Sequence, residues 1–126
     1  MTAPIRSSVT IFASALIAAG GTKTAPASVG TGAWVDVRGL NGGKLAWLVQ
    51  NGSSTPGVQG QFTFQVADDS TGTNATDLWT GGGDTVANNP SSGIADLPAE
   101  ASYVRMLCYG NTTNAVTFKG TLFAKA

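Results

Sequence analysis

Gln61-Phe-Thr-Phe-Gln-Val66 alternates polar and apolar residues without a break. Phe62, Phe64 and Val66 fall on one side of an extended chain, with Gln61, Thr63 and Gln65 on the other. The segment therefore predicts a strand with one buried face. Shorter β-rich runs recur along the chain, separated by Gly, Pro, Asn and Ser. Gly or Pro recurs through most of the chain, and no window shows helical periodicity.

Strands are expected at Ser8 to Ala18, Ala33 to Arg38, Lys44 to Gln50 and Gln61 to Val66. Two more are expected at Ser102 to Tyr109, apolar on both faces and so central, and at Ala115 to Ala124. Asp77 to Thr80 reads as a short strand at best, and Gly81 to Gly93 as a loop. Ile94 to Leu97 touches the sheet only briefly. Asn41-Gly-Gly43 reads as the turn of a hairpin joining the second and third strands. Six to eight strands with turn signals about every ten residues predict an all-β antiparallel sandwich, jelly-roll-like or immunoglobulin-like.

Met1 to Ser7 reads as an extended N-terminal arm, with Pro4 restricting Ala3, ahead of a single domain over residues 8–126. Pro4, Ile5 and Arg6 are its interface candidates, Ile5 as an apolar anchor and Arg6 as a partner for an acid. The run Val9 to Ala19, preceded by Arg6 and followed by Ala25-Pro-Ala-Ser28, mimics a signal peptide. Its single basic residue, and Thr10 and Ser14 within it, make a first strand the better reading. No apolar run reaches the length of a membrane-spanning helix.

Charge changes the picture more than size does. Charged residues make up 11% of the 126 residues and the formal net charge is zero, against about 25% charged in an ordinary soluble domain. Such a surface offers little repulsion between copies. It suits either a neutral surface domain or a subunit covered by its neighbours. No acid precedes Asp36 or follows Glu100, so the ends are basic and the middle is acidic. The clustered Lys/Arg footprint of a nucleic-acid binder is missing.

The chain contains no histidine and one cysteine, Cys108. Ser-His and Cys-His nucleophiles and Cys/His zinc sites are therefore ruled out. The acids are scattered, and acid–base work needs two held close together. No catalytic residue, metal site or cofactor is expected. Cys108 alternates with Val104 and Met106 and reads as a buried thiol. Asp68 to Asn74 is rich in oxygen but lacks the spacing of a calcium loop, so a solvated turn is expected. Glycosylation-type sequons at Asn51, Asn74 and Asn111 all fall in expected loops. Trp34 and Trp47 are expected in the core, and Trp79 and Tyr109 as exposed aromatic contacts.

Thr10-Ile-Phe-Ala-Ser-Ala15, Trp34-Val-Asp-Val-Arg-Gly-Leu40, Lys44-Leu-Ala-Trp-Leu-Val49, Phe62-Thr-Phe-Gln-Val66 and Tyr103-Val-Arg-Met-Leu107 occur in this order. The series resembles that of small structural proteins of tailed-phage virions. The resemblance implies a non-catalytic virion protein made in the host cytoplasm. Capsid decoration (cement) on the major capsid protein, or another virion protein, leads. A tail or fibre module that recognises host glycans is the alternative. It also implies self-association, as trimers or symmetric clusters; the charge distribution and the short apolar runs give no reason to expect a nucleic-acid or membrane partner. Gly81 to Gly93 is unusually rich in Gly and Asn for this pattern, and Asp77-Leu-Trp79 has no counterpart in it.

Overall fold

The computed structural model describes residues 6–125. Its strands are β1 (Arg6–Ile17), β2 (Val35–Asp36), β3 (Gly43–Asn51), β4 (Gln61–Ala67), β5 (Thr76–Gly82), β6 (Pro90–Leu97), β7 (Tyr103–Tyr109) and β8 (Val116–Lys125). They form two four-stranded sheets, a front sheet ordered β1-β8-β3-β6 and a back sheet ordered β2-β7-β4-β5. All pairings are antiparallel.

The pairing is nested: β1 with β8, β2 with β7, β3 with β6, and β4 with β5. That is the connectivity of a jelly roll, which settles the sandwich type against the immunoglobulin-like alternative. It also corrects the expected hairpin. Asn41-Gly42-Gly43 leads from β2 in the back sheet to β3 in the front sheet, so the turn is a crossover between layers. Gly42 has φ of 71°, and a Cβ there would lie 2.5 Å from the Leu97 carbonyl oxygen. The chain can make this bend only where no side chain intervenes.

β1 begins at Arg6, earlier than expected. Arg6 and Ser7 pair with Lys125 and Ala124 of β8 and so belong to the sheet rather than to an arm. The rest of the expected arm, with Pro4 and Ile5, lies outside the described residues. The signal-like run Val9 to Ala19 is largely β1. Register irregularities at Thr10/Phe12 and Phe12/Ala15 let both Ile11 and Phe12 reach the interior.

The largest departure from expectation is β6, whose first half lies in the expected Gly81 to Gly93 loop, and with it the full length of β5. Both are edge strands. β6 opens on Pro90, tolerated there because the first residue of an edge strand need not donate to a ladder. Its Ser91-Ser92-Gly93 carries no apolar pattern; the β3 backbone holds it over Gly43 to Gln50.

Phe62, Phe64, Phe118, Ile17, Leu45, Met106 and Leu122 fill the space between the sheets and are fully buried. Burying each such side chain contributes about 1.5–3 kcal/mol. Phe62 and Phe64 are neighbours on β4 with ring centroids 5.4 Å apart, edge to face. Cys108 is buried among them, and that burial raises its pKa above the ordinary thiol value.

Candidate binding surfaces

The two outer faces of the sandwich differ. On the back sheet, residues 18–34 run along the free side of β7. The Gly20 amide donates to the Asn111 carbonyl (3.0 Å), Cys108 to Gly30 (2.8 Å) and Gly32 to Met106 (3.0 Å). Between these anchors the loop swings over the sheet, and Lys23 pairs with Asp77 on β5 at the far edge. Thr63, Leu107 and Tyr109 occupy outward positions on β4 and β7, yet all are buried. The loop acts as a strap over them.

This corrects the expectation for Tyr109. It is only 8% exposed, and its hydroxyl bonds Thr63 Oγ1 at 2.8 Å. Thr63 Oγ1 is also 3.0 Å from Thr80 Oγ1.

Beside the strap a polar line crosses the back sheet. Arg105 Nε on β7 donates to Gln65 Oε1 on β4 (3.0 Å), and Gln65 Nε2 donates to Asp77 Oδ1 (2.8 Å). Hydrogen bonds from Lys23 and Gln65 hold the Asp77 carboxyl below its ordinary pKa. The Arg105 guanidinium lies 4.4 Å from the centre of the Trp34 ring. Partial burial lowers its pKa. Trp34 was expected in the core; it is half-buried on this outer face instead. Arg38 sits 5.0 Å over Tyr103, two residues from Arg105 on β7, and grips Asp36 with Nε (3.0 Å) and Nη2 (2.8 Å). That grip draws the Asp36 pKa down to about 2.

The front sheet has a bare outer face. Leu16, Ile94 and Phe123 are exposed by 66%, 65% and 54%. The register aligns Ile94, Ala46, Thr121 and Thr10 in one row across the strands, with Phe123 and Leu48 in flanking rows. A shallow depression of about 210 Å³ lies among Ala46, Leu48, Lys119, Thr121 and Phe123. Lys44 and Asp96 form an exposed ion pair at its margin.

Trp79 lies where the edges β5 and β6 meet. As expected it is exposed, by 38%. Opposite Phe64 in the register, it points inward and packs on Trp47 (5.8 Å) and Phe62 (5.7 Å). It plugs the open side of the core while showing part of its ring to solvent.

The oxygen-rich loop is self-satisfied. Asp69 Oδ1 accepts from the Thr71 amide (3.0 Å), the Thr71 hydroxyl (2.8 Å) and the Thr73 amide (3.1 Å), which hold its pKa well below the ordinary range. Asn74 Nδ2 donates to Asp68 Oδ2 at 2.6 Å. Among the described residues no group of three or more His, Cys, Asp or Glu side chains converges as metal ligands.

Two of the three sequon asparagines are structural. Asn111 is fully buried and donates to the carbonyls of Ile17 (3.1 Å) and Asn114 (3.0 Å). Asn51 is buried, with Nδ2 at 2.9 Å from Asp84 O, Asp84 Oδ1 and Val86 O, fastening the β5–β6 loop. Nothing local in the sequence marks these roles, since Ile17 for Asn111, and Asp84 and Val86 for Asn51, are brought in by the fold.

The K3 cleaved adhesin domain of Lys-gingipain from Porphyromonas gingivalis W83 is similar to this chain, with a TM-score of 0.54 and 12% identity. The match covers 87% of this chain and 71% of that one. At that identity the likeness shows a shared β-rich fold. Weaker likenesses are to the SPBc2 prophage-derived protein YomS and to the K1 cleaved adhesin domain of the same gingipain. The first has a TM-score of 0.48 and 16% identity, covering 98% of this chain and 96% of that one. The second has 0.49 and 14%, covering 92% and 71%. No protein-family model and no curated protein matches the chain.

Proposed function

We propose that this chain is a non-catalytic virion structural protein, a capsid decoration (cement) protein that docks on the shell through the front sheet and touches its own copies. The carrying observation is the contrast between the two faces. The back sheet is strapped by its own loop, while the front sheet leaves Leu16, Ile94 and Phe123 in water. Large apolar side chains left exposed together, Ile94 and Phe123 beside the Ala46/Leu48 depression, support reading this face as an interaction site. The low charge content, the zero net charge and the phage-like series of strand motifs support the same reading.

Size bears on the mode of attachment. Four strands at about 4.8 Å spacing and about 3.3 Å per residue present a face on the order of 500 Å². A stable interface needs about 800 Å² per partner. The front face alone is short of that, so contacts between copies, in trimers or clusters, complete the attachment.

The test is to mix purified particles lacking this protein with wild type and with an Ile94→Asp, Phe123→Asp double variant. Both substitutions are at exposed positions, so folding should be preserved. Wild type should decorate the particles and the variant should not. Wild type absent from particles, or a variant that binds equally well, would remove this reading.

One observation favours the alternative, a tail or fibre module for host glycans: the partly exposed Trp79 ring at the β5/β6 edge. Burial of Tyr109 takes away the second stacking surface that reading called for.

A further inference from the structure

Arg105 differs from the other paired cations of the described residues. Lys23, Arg38 and Lys44 each hold an acid. Arg38 provides an internal comparison, because it too lies over an aromatic ring on the same face, and there the chain supplies Asp36 to both arms of the guanidinium. Arg105 has the aromatic support of Trp34 and one bond, from Nε to Gln65. Among the described residues no carboxylate lies within ion-pair distance of it. The acid beyond Gln65, Asp77, is engaged by Lys23 and Gln65.

A half-buried guanidinium loses hydration; the Trp34 ring and the Gln65 bond offset part of that loss, and a counter-charge would add the charge-assisted bonds that they do not supply. Gln65 and the Trp34 ring fix its plane, so the terminal nitrogens are pre-aligned as a fork. A fork of this kind matches a carboxylate, with two parallel charge-assisted bonds.

We infer that Arg105, held against Trp34 and Gln65, is a carboxylate-binding site that receives an acidic side chain from a neighbouring protein. An acidic sugar fits less well. Sugars stack on free aromatic faces, and on this side of the sheet Trp34 and Tyr103 each already carry a guanidinium. The inference refines the partner in the proposed function and depends on that reading only for there being a protein partner.

The test is an NMR titration of ¹⁵N-labelled protein at low salt with a short polyglutamate peptide, its polyglutamine counterpart and N-acetylneuraminic acid. The Arg105 Nε–H and Trp34 Nε1–H resonances should shift saturably with polyglutamate and stay still with polyglutamine. Arg105→Lys keeps the charge and loses the fork, so affinity should fall roughly ten-fold or more. Lys119→Gln, on the opposite face, should leave the Arg105 and Trp34 shifts and their titration midpoint unchanged. No saturable shift in wild type, equal affinity in Arg105→Lys, or tighter binding of the acidic sugar would each overturn the inference. Particle attachment separates the two readings. Loss with the front-face variant, together with a failed titration, leaves the docking proposal standing and removes this site.

Discussion

Gly93 on β6 and Trp47 on β3 are direct register partners, and a Cβ on Gly93 would lie 2.7 Å from the indole Cζ2. The bare backbone of an edge strand is what lets the Trp47 ring lie flat beneath it and meet Phe62 at 4.8 Å. Gly93→Ala should therefore destabilise the fold by about 1–3 kcal/mol, the usual cost of overpacking. Urea denaturation measures it. A loss below about 0.5 kcal/mol, the range of an ordinary surface change, would show that the indole moves aside freely.

The Tyr109 hydroxyl reaches Thr63 beneath the strap. Tyr109→Phe keeps the ring and removes that bond, while Thr63 retains Thr80. The expected cost is about 0.5–1.5 kcal/mol, since no buried group is left wholly unpaired. Thr63→Val removes both bonds and should cost more. Equal losses in the two variants would contradict the arrangement.

Asn111 ties the end of β1 to the β7–β8 turn through two carbonyls. Asn111→Ala removes both hydrogen bonds. The expected loss is about 1–3 kcal/mol, read by thermal unfolding. Asn74→Gly, at an exposed loop position with φ of 57° that glycine adopts without strain, is the contrasting substitution at a sequon and should cost less.

Acid should weaken the back sheet. Asp36 has a folded pKa of about 2, below the ordinary aspartate value of 3.8, because Arg38 hydrogen-bonds its charged form. A depressed carboxylate pKa contributes stability above the unfolded value, and that contribution is lost as pH falls toward the folded one. The pair's contribution should be complete above about pH 4 and gone below about pH 2. Asp36→Asn should flatten that part of the stability–pH curve. An unchanged acid limb in the variant would show the pair to be inconsequential, as exposed pairs often are.

Cys108 is fully buried and its thiolate is disfavoured. A thiol reagent should label it only when the domain opens, because the thiolate is the reacting form. Labelling should be slow in buffer and fast in denaturant. Rapid labelling of the folded protein would contradict its place in the core.

The strands that alternate cleanly, such as Gln61 to Val66, or that are apolar on both faces, such as Tyr103 to Tyr109, were legible from the sequence. Their side chains respond to burial, and burial leaves a local periodicity. Cys108 and the solvated Asp68 to Asn74 turn were readable for the same local reasons. β6 was not legible, because Ser91-Ser92-Gly93 has no apolar pattern and takes its form from the β3 backbone and the Trp47 ring.

What the sequence determined by itself was an all-β chain, its main strands, and a surface almost without charge. These follow from residue type and local alternation. Only the tertiary structure decided that β2 and β3 part into different sheets, that the strap buries Tyr109, that Trp34 leaves the core to carry Arg105, and that Ile94 and Phe123 share an open face. Each of these depends on a pairing between segments distant in the chain. The hydrogen bonds that fix such pairings come from the backbone, which is the same in every residue but proline, and so they leave no mark in the order of side chains.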